Sequence, residues 1–158
     1  AESGLPVQAA ATYVDVVLSL DTVAYASGDV LAATQAVTDA VTMTDGKGVI
    51  QSVSVIDYDG QAQALDLVFL SANVGIGTEN AAVSISDADA AHLLGCVSIA
   101  SGDYVNLVNS RIATKTNVGL GVKAVLATRD IYVAAISRGT GTYTAAGIKL
   151  RLHITSNI

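Results

Sequence analysis

Apolar and polar residues alternate with a period of two along much of this chain, most clearly over residues 49–70. Val49, Gln51, Val53 and Val55 alternate with Ile50, Ser52, Ser54 and Ile56, and β-branched residues dominate, so the segment predicts a strand. Asp57-Tyr58-Asp59-Gly60 then supplies turn chemistry, because Asp side chains bond nearby backbone and glycine accepts a positive φ. Residues 64–70 form a nearly continuous apolar run, as expected of a strand buried on both faces. Together the two segments predict a central β-hairpin on which other strands pair.

Residues 12–20 set Val14, Val16, Leu18 and Leu20 on one face and Tyr13, Asp15, Val17 and Ser19 on the other. This predicts a half-buried strand, with residues 23–26 as its candidate continuation. Ser27-Gly28-Asp29 marks a turn before a strand that opens at residues 30–33. Residues 34–44 fit a helix through Val37 and Val41, or a strand through their Thr and Val content, and strand is the choice taken. Residues 45–48 and 71–80 read as loops. Ser86 can cap a helix, Asp87 and Asp89 suit its positive end, and Gly95 stops it, which predicts one short helix near 87–94. Residues 96–100 read as a strand and Ser101-Gly102-Asp103 as a turn. Four more strands are expected at roughly 110–117, 119–127, 130–137 and 147–155. The last is the most regular, with Ile148, Leu150, Leu152 and Ile154 on one face and Lys149, Arg151, His153 and Thr155 on the other. Ala26-Ser27-Gly28-Asp29 recurs as Ala100-Ser101-Gly102-Asp103, either as two equivalent turns or as a coincidence of common turn residues.

The expected fold is therefore all-β, an antiparallel β-sandwich with the jelly roll as its candidate topology. Residues 1–11, which hold the lone proline, Pro6, are expected to form an extended arm, and residues 12–158 a single domain. Apolar residues make up 51% of the chain and charged residues only 14%, against a usual share of about a quarter. Part of the apolar surface should therefore lie against another copy or another protein. The net charge of −6 argues against a nucleic-acid partner. Residues 1–105 carry thirteen acids and one base, Lys47, whereas residues 106–158 carry one acid, Asp130, and seven bases. Such a split gives either a polar subunit or, if the halves of a sandwich interleave, scattered charges. The chain shows no leader-like start and no apolar run long enough to span a bilayer, so the expectation is a soluble protein made in a cytoplasm, with no membrane partner.

Candidate chemistry is sparse. The single cysteine, Cys96, lies in an apolar run and reads as a small core residue rather than a nucleophile. Asp57-Tyr58-Asp59-Gly60 resembles the start of a calcium loop, but its glycine comes too early and no distal glutamate follows, so a turn is the plainer reading. Asp87, Asp89 and His92 could be drawn as metal ligands, but helix capping accounts for both acids. Gly75-Ile76-Gly77 lacks the third glycine and the following helix of a phosphate cradle. No serine-nucleophile elbow, zinc motif or paired-cysteine motif is present. The expectations are no catalytic residue, no metal, no cofactor and no enzymatic activity. Tyr58 and Tyr143, both in loops, are the aromatics that a sugar-binding module could use.

Four segments carry a likeness to a known group: YASGDVL at 25–31, SVSVIDYDGQ at 52–61, SISDADAAHLLG at 84–95 and IYVAAISRGTGTY at 131–143. Together with the Ala/Val/Thr/Gly-rich composition they resemble small virion proteins of tailed bacteriophages, and among these the head decoration, or cement, proteins. The likeness is one of ordered features over roughly residues 13–155, without a catalytic signature. It implies a β-rich protein, made in the bacterial host cytoplasm, that sits on the capsid exterior of the virion. Its partner would be the major capsid protein, whose subunits it would bridge, commonly as a homotrimer. The alternative is a carbohydrate- or receptor-binding virion module, such as part of a tail fibre or spike. Two contacts are expected on this reading. One is the arm, through Leu5, Pro6 and Val7. The other is a cationic face formed by Arg111, Lys115, Lys123, Lys149 and Arg151.

Overall fold

The computed structural model describes residues 9–157, arranged as two antiparallel sheets packed face to face. The first sheet runs β1 (Ala9–Val17), β10 (Ile148–Asn157), β3 (Lys47–Asp57), β7 (Ser110–Lys115) and β6 (Tyr104–Leu107), and β8 (Leu120–Lys123) also pairs with β3. The second runs β2 (Val30–Val37), β9 (Ile131–Ser137), β4 (Leu65–Leu70) and β5 (Leu93–Ile99). If β7 and β8, which both pair with β3, are taken as one interrupted strand and β6 as an added edge strand, the order 1-10-3-7 faces 2-9-4-5. That is the order of an eight-stranded jelly roll, in which long connections return each strand beside a much earlier one. The all-β sandwich expected from the alternation is therefore the observed architecture.

The core lies between the sheets. Leu150, Leu152 and Ile154 of β10 and Val53 and Val55 of β3 face Leu67 and Phe69 of β4 and Val133 of β9, all fully buried. Second-sheet strands are buried on their outer face too. Val68, Leu70, Ala134 and Ile136 lie under the segment 71–86, which supplies Ile76, Val83 and Ile85. That segment is a strap fastened at both ends of its course. Val30 N–H donates to Ala81 O (2.8 Å), Val83 N–H to Gly28 O (3.0 Å) and Thr34 Oγ1 to Val74 O (2.7 Å). Double-sided cover explains why residues 64–70 read as a continuous apolar run rather than an alternating one.

Four expectations are corrected. The 49–70 segment is not a hairpin: β3 and β4 lie in different sheets, joined by a corner at residues 58–64. The alternation within β3 breaks at Gln51. The register with β10 shifts between His153 and Ile154, so that Ile50, Val53 and Val55 all point inward. Burying Ile50 outweighs an unbroken pleat, and the bulged Gln51 carbonyl accepts from Val118 N–H (2.9 Å). The helix is a single turn, α1 (Asp87–Ala90), capped as expected by Ser86 Oγ accepting from Asp89 N–H (3.1 Å). Leu93 and Leu94 belong instead to β5, drawn there by pairing with β4. Finally, Cys96 is exposed and not in the core, because Val97 and Ile99 take the inward positions of β5.

Smaller differences follow the same logic. Residues 23–26 are irregular, β2 ends at Val37, and β6 forms a hairpin with β7 that the alternation did not reveal. The repeated Ala-Ser-Gly-Asp segments are equivalent turns: Ala26 N–H donates to Asp29 Oδ2 and Ala100 N–H to Asp103 Oδ2, both at 2.8 Å. β1 begins at Ala9, inside the expected arm, and residues 1–8, with Leu5, Pro6 and Val7, lie outside the described residues.

Candidate interaction surface

The outer face of the first sheet, away from the core, divides into two zones. Cross-strand register sets its residues in rows. One row reads Val17, Lys149, Ile56, Ile112 and Val105 across β1, β10, β3, β7 and β6. Apart from the Lys149 ammonium it is aliphatic, and Val17 and Val105 are 48% and 58% exposed. Leu107, Val108 and Tyr58 extend it at the same end of the sheet, each exposed. Its four branched side chains are good strand-formers, and among the described residues nothing covers the row.

The next row is polar: Asp15, Arg151, Ser54 and Thr114. Arg151 holds Asp15 in a bidentate pair, Nε to Oδ1 at 2.8 Å and Nη2 to Oδ2 at 3.0 Å, and Lys149 Nζ lies 3.9 Å from Oδ2. The Arg151 hydrogen bond draws the Asp15 carboxyl below its ordinary pKa, and Asp15 in turn raises that of Arg151. Ser54 and Thr114 hydroxyls lie 3.1 Å apart, and one row further on Tyr13 stacks on His153 with ring centroids 4.8 Å apart.

The five cations expected to form one face do not. Lys149, Arg151 and Lys123 occupy outward positions, but Arg111 and Lys115 pair across from the inward-facing Asp57 and Val53, and so point the other way. Lys115 is tied to Asp103 at 2.8 Å. Five ion pairs among the described residues join a late base to an early acid, the others being Arg129–Asp39 and Arg138–Asp66 alongside the two at Asp15. The halves of the chain thus interleave. What sequence reading missed is the aliphatic row. Ile56 and Ile112 look like core residues until the register assigns them to the outer face, and β6 shows no strong turn signal of its own.

Other candidate groups have structural employment. Asp57 and Asp59 fasten the corner: Asp57 accepts from Asp59 N–H and Ala62 N–H, and Asp59 from Thr144 N–H and Oγ1. Tyr143 is buried against Tyr25, with burial pushing its hydroxyl pKa up, so it offers no sugar platform, whereas Tyr58 is exposed. Although Cys96 is exposed, partial desolvation of its thiol and the Asp66 carboxylate push its pKa upward, away from nucleophile character. Among the described residues no group of three His, Cys, Asp or Glu side chains could hold a metal ion, and no helix is long and apolar enough to cross a membrane.

The fold class is a jelly-roll sandwich. No family description and no curated protein matches the chain. Among solved structures, a virus-like particle of extra small virus of the giant freshwater prawn Macrobrachium rosenbergii is similar at 11% identity. It covers 99% of this chain and 82% of that one with a TM-score of 0.35. Infectious bursal disease virus, Gx strain, is similar at 12% identity over 95% of this chain and 40% of that one, with a TM-score of 0.25.

Proposed function

We propose that this chain is a non-catalytic structural protein of a virion that attaches to the outside of a phage capsid, through the aliphatic row of its first sheet, and bridges major capsid subunits. The observation that carries this reading is that row. It crosses five strands and is apolar on four of them, and the charges of Lys149, in the row, and of Arg151, beside it, are both met by Asp15. The sequence likeness to head decoration proteins supplies the partner class, and a jelly roll is in keeping with it by analogy, since viral capsid domains, lectins and cupins all use that topology. A trimer is the expected assembly, and repeated weak contacts by a multivalent protein would add up on a shell. The competing glycan-binding reading loses Tyr143, which is buried.

Co-sedimentation with purified shells tests the proposal. Ile112→Asp is expected to weaken binding about tenfold or more, because a carboxylate replaces a side chain whose burial contributes about 1.5–3 kcal/mol. Undiminished binding by a folded Ile112→Asp protein overturns it. Turnover on an ester and glycoside panel, or tight binding on a glycan array, would favour the enzyme or receptor-binding readings instead.

A further inference from the structure

The strap over the second sheet is fastened along one side. Among the described residues, the hydrogen bonds that tie residues 74–83 to the rest of the fold run to residues 21–34. Asn80 N–H donates to Val30 O (2.9 Å) and Asn80 Nδ2 to Asp21 Oδ2 (2.9 Å), beside the ties at Val74, Ala81 and Val83. Toward β5 the strap instead borders an open, largely aliphatic hollow of about 140 Å³, lined by Val83, Leu93 and Cys96 among others. Its pairing with the sheet amounts to isolated bridges at Glu79 and Ala82. Ile76 is its one buried side chain in the apolar cluster there, Val74, Val83 and Ile85 being partly buried. Segments with sparse pairing and few buried contacts open before the body of a fold does.

The fastened side is acidic. Residues 21–34 and 71–86 hold Asp21, Asp29 and Glu79 and no base. The three carboxylates act together on the buried Tyr25, whose hydroxyl accepts from Asp21 N–H (2.7 Å). Asp29 Oδ2 is occupied by Ala26 N–H (2.8 Å). Asp21 is well served, with Oδ1 accepting from Thr22 N–H (2.7 Å) and Val23 N–H (3.3 Å), and its bond from Asn80 above all lowers its pKa. It is therefore charged wherever Glu79 titrates. Glu79 is in the opposite position. Desolvation lifts its carboxyl above the ordinary value; the bond it accepts from Ala33 N–H offsets part of this, and the Asp21 charge adds to it.

We propose that the 71–86 strap is a pH-sensitive cover, which opens as a unit ahead of the sandwich and opens more readily when Glu79 is charged opposite Asp21. Opening bares Val68, Leu70, Ala134 and Ile136, an apolar face separate from the row on the first sheet. The inference therefore does not rest on the shell-binding reading. Its direction follows from linkage. A carboxyl raised in the closed form favours closure below the ordinary carboxylate range, and that advantage is lost as pH rises through the raised value.

Amide hydrogen exchange, corrected for the intrinsic pH dependence of exchange, tests this from about pH 4 to about pH 7.5. The Asn80 and Val83 amides should be at least about tenfold less protected than those of β10, which is paired on both sides. Their protection should fall about threefold across that range, in line with a like-charge pair brought face to face. Glu79→Gln keeps an oxygen for Ala33 N–H and removes the charge. It should abolish the fall and leave the strap about threefold more protected than wild type at neutral pH, with β10 unchanged. Strap amides as protected as those of β10 would mean that the cover opens only with the whole fold, and overturn the proposal. So would strap protection that is flat or rises with pH, or a Glu79→Gln protein that follows the wild-type curve.

Discussion

Replacing Asp57 by Asn should destabilise the protein more than any other isosteric change at its polar positions. Asp57 is 1% exposed at the end of β3, where the chain leaves the first sheet for the second. Its Oδ1 accepts from Asp59 N–H at 3.0 Å and its Oδ2 from Ala62 N–H at 2.7 Å. Ala62 has φ +49°, so the carboxylate holds a backbone that would otherwise relax. An amide offers one oxygen where two are needed, and its NH₂ meets a donor. Losing one hydrogen bond to a charged acceptor costs about 1.5–3 kcal/mol, and the surviving bond weakens to the neutral range of about 0.5–1.5 kcal/mol. The sum is about 2–4 kcal/mol. For a chain of this size that lowers the melting temperature by roughly 5–15 °C. Urea unfolding at neutral pH measures it, with the m-value expected to stay constant because the surface exposed on unfolding is unchanged. A Asp57→Asn protein within about 0.5 kcal/mol of wild type would show that the corner stands without its carboxylate, and the reasoning would be refuted.

Two pH predictions follow from the ionisable groups. The folded pKa of Asp15 is depressed, chiefly by the Arg151 hydrogen bond, so its ionised form favours the folded state above the ordinary carboxylate range. That contribution is lost as pH falls from about 4 through the lower folded value, and Asp15→Asn should therefore lose less stability on acidification than wild type. The effect is small because the pair is solvent-screened, and equal acid sensitivity of the two proteins would contradict it. At the other extreme, burial pushes Tyr25 up to about 12 and raises Tyr104 and Tyr143 as well. Their raised values stabilise the fold below about pH 10, and that stabilisation is lost as pH climbs through the folded values. Ultraviolet titration should show these three tyrosines ionising only with alkaline unfolding, and their titration in the intact fold would refute the assignment.

How much of this was legible in the sequence depended on whether the signal was local. The pattern of β10 was, because Leu150, Leu152 and Ile154 alternate with solvent-facing residues over its whole length. So were the Ser86 cap and the paired Ala-Ser-Gly-Asp turns, each complete within four residues. The destination of the chain after Asp57 was not. A carboxylate that bonds backbone two and five residues on looks the same in a hairpin turn as in a corner between sheets. The phase change at Gln51 was hidden for a related reason: a bulge is chosen by what the partner strand demands, here burial of Ile50 opposite Ile154. The aliphatic row was the least legible feature. Ile56 and Ile112 are outward only because of register across three strands that are far apart in sequence.

The charge split along the chain sharpens the choice between contact surfaces. A jelly roll inserts its last strand between its first and third, so β10 brings Lys149 and Arg151 directly against Asp15. Bases that look unopposed in sequence are thereby matched, and desolvating a matched pair at an interface returns little net affinity. Among the described residues, the aliphatic side chains of the row have no such partner. Exchanging the pair, Asp15→Arg with Arg151→Asp, should therefore leave shell binding within about threefold of wild type, with little dependence on salt, because apolar contacts are not screened. If attachment were carried by the cationic face, the exchange would move a positive charge from one strand to the next and binding would fall steeply with ionic strength. Strong salt dependence in the wild-type protein, or loss of binding in the exchanged pair with the fold intact, would transfer the contact from the row to the charges beside it.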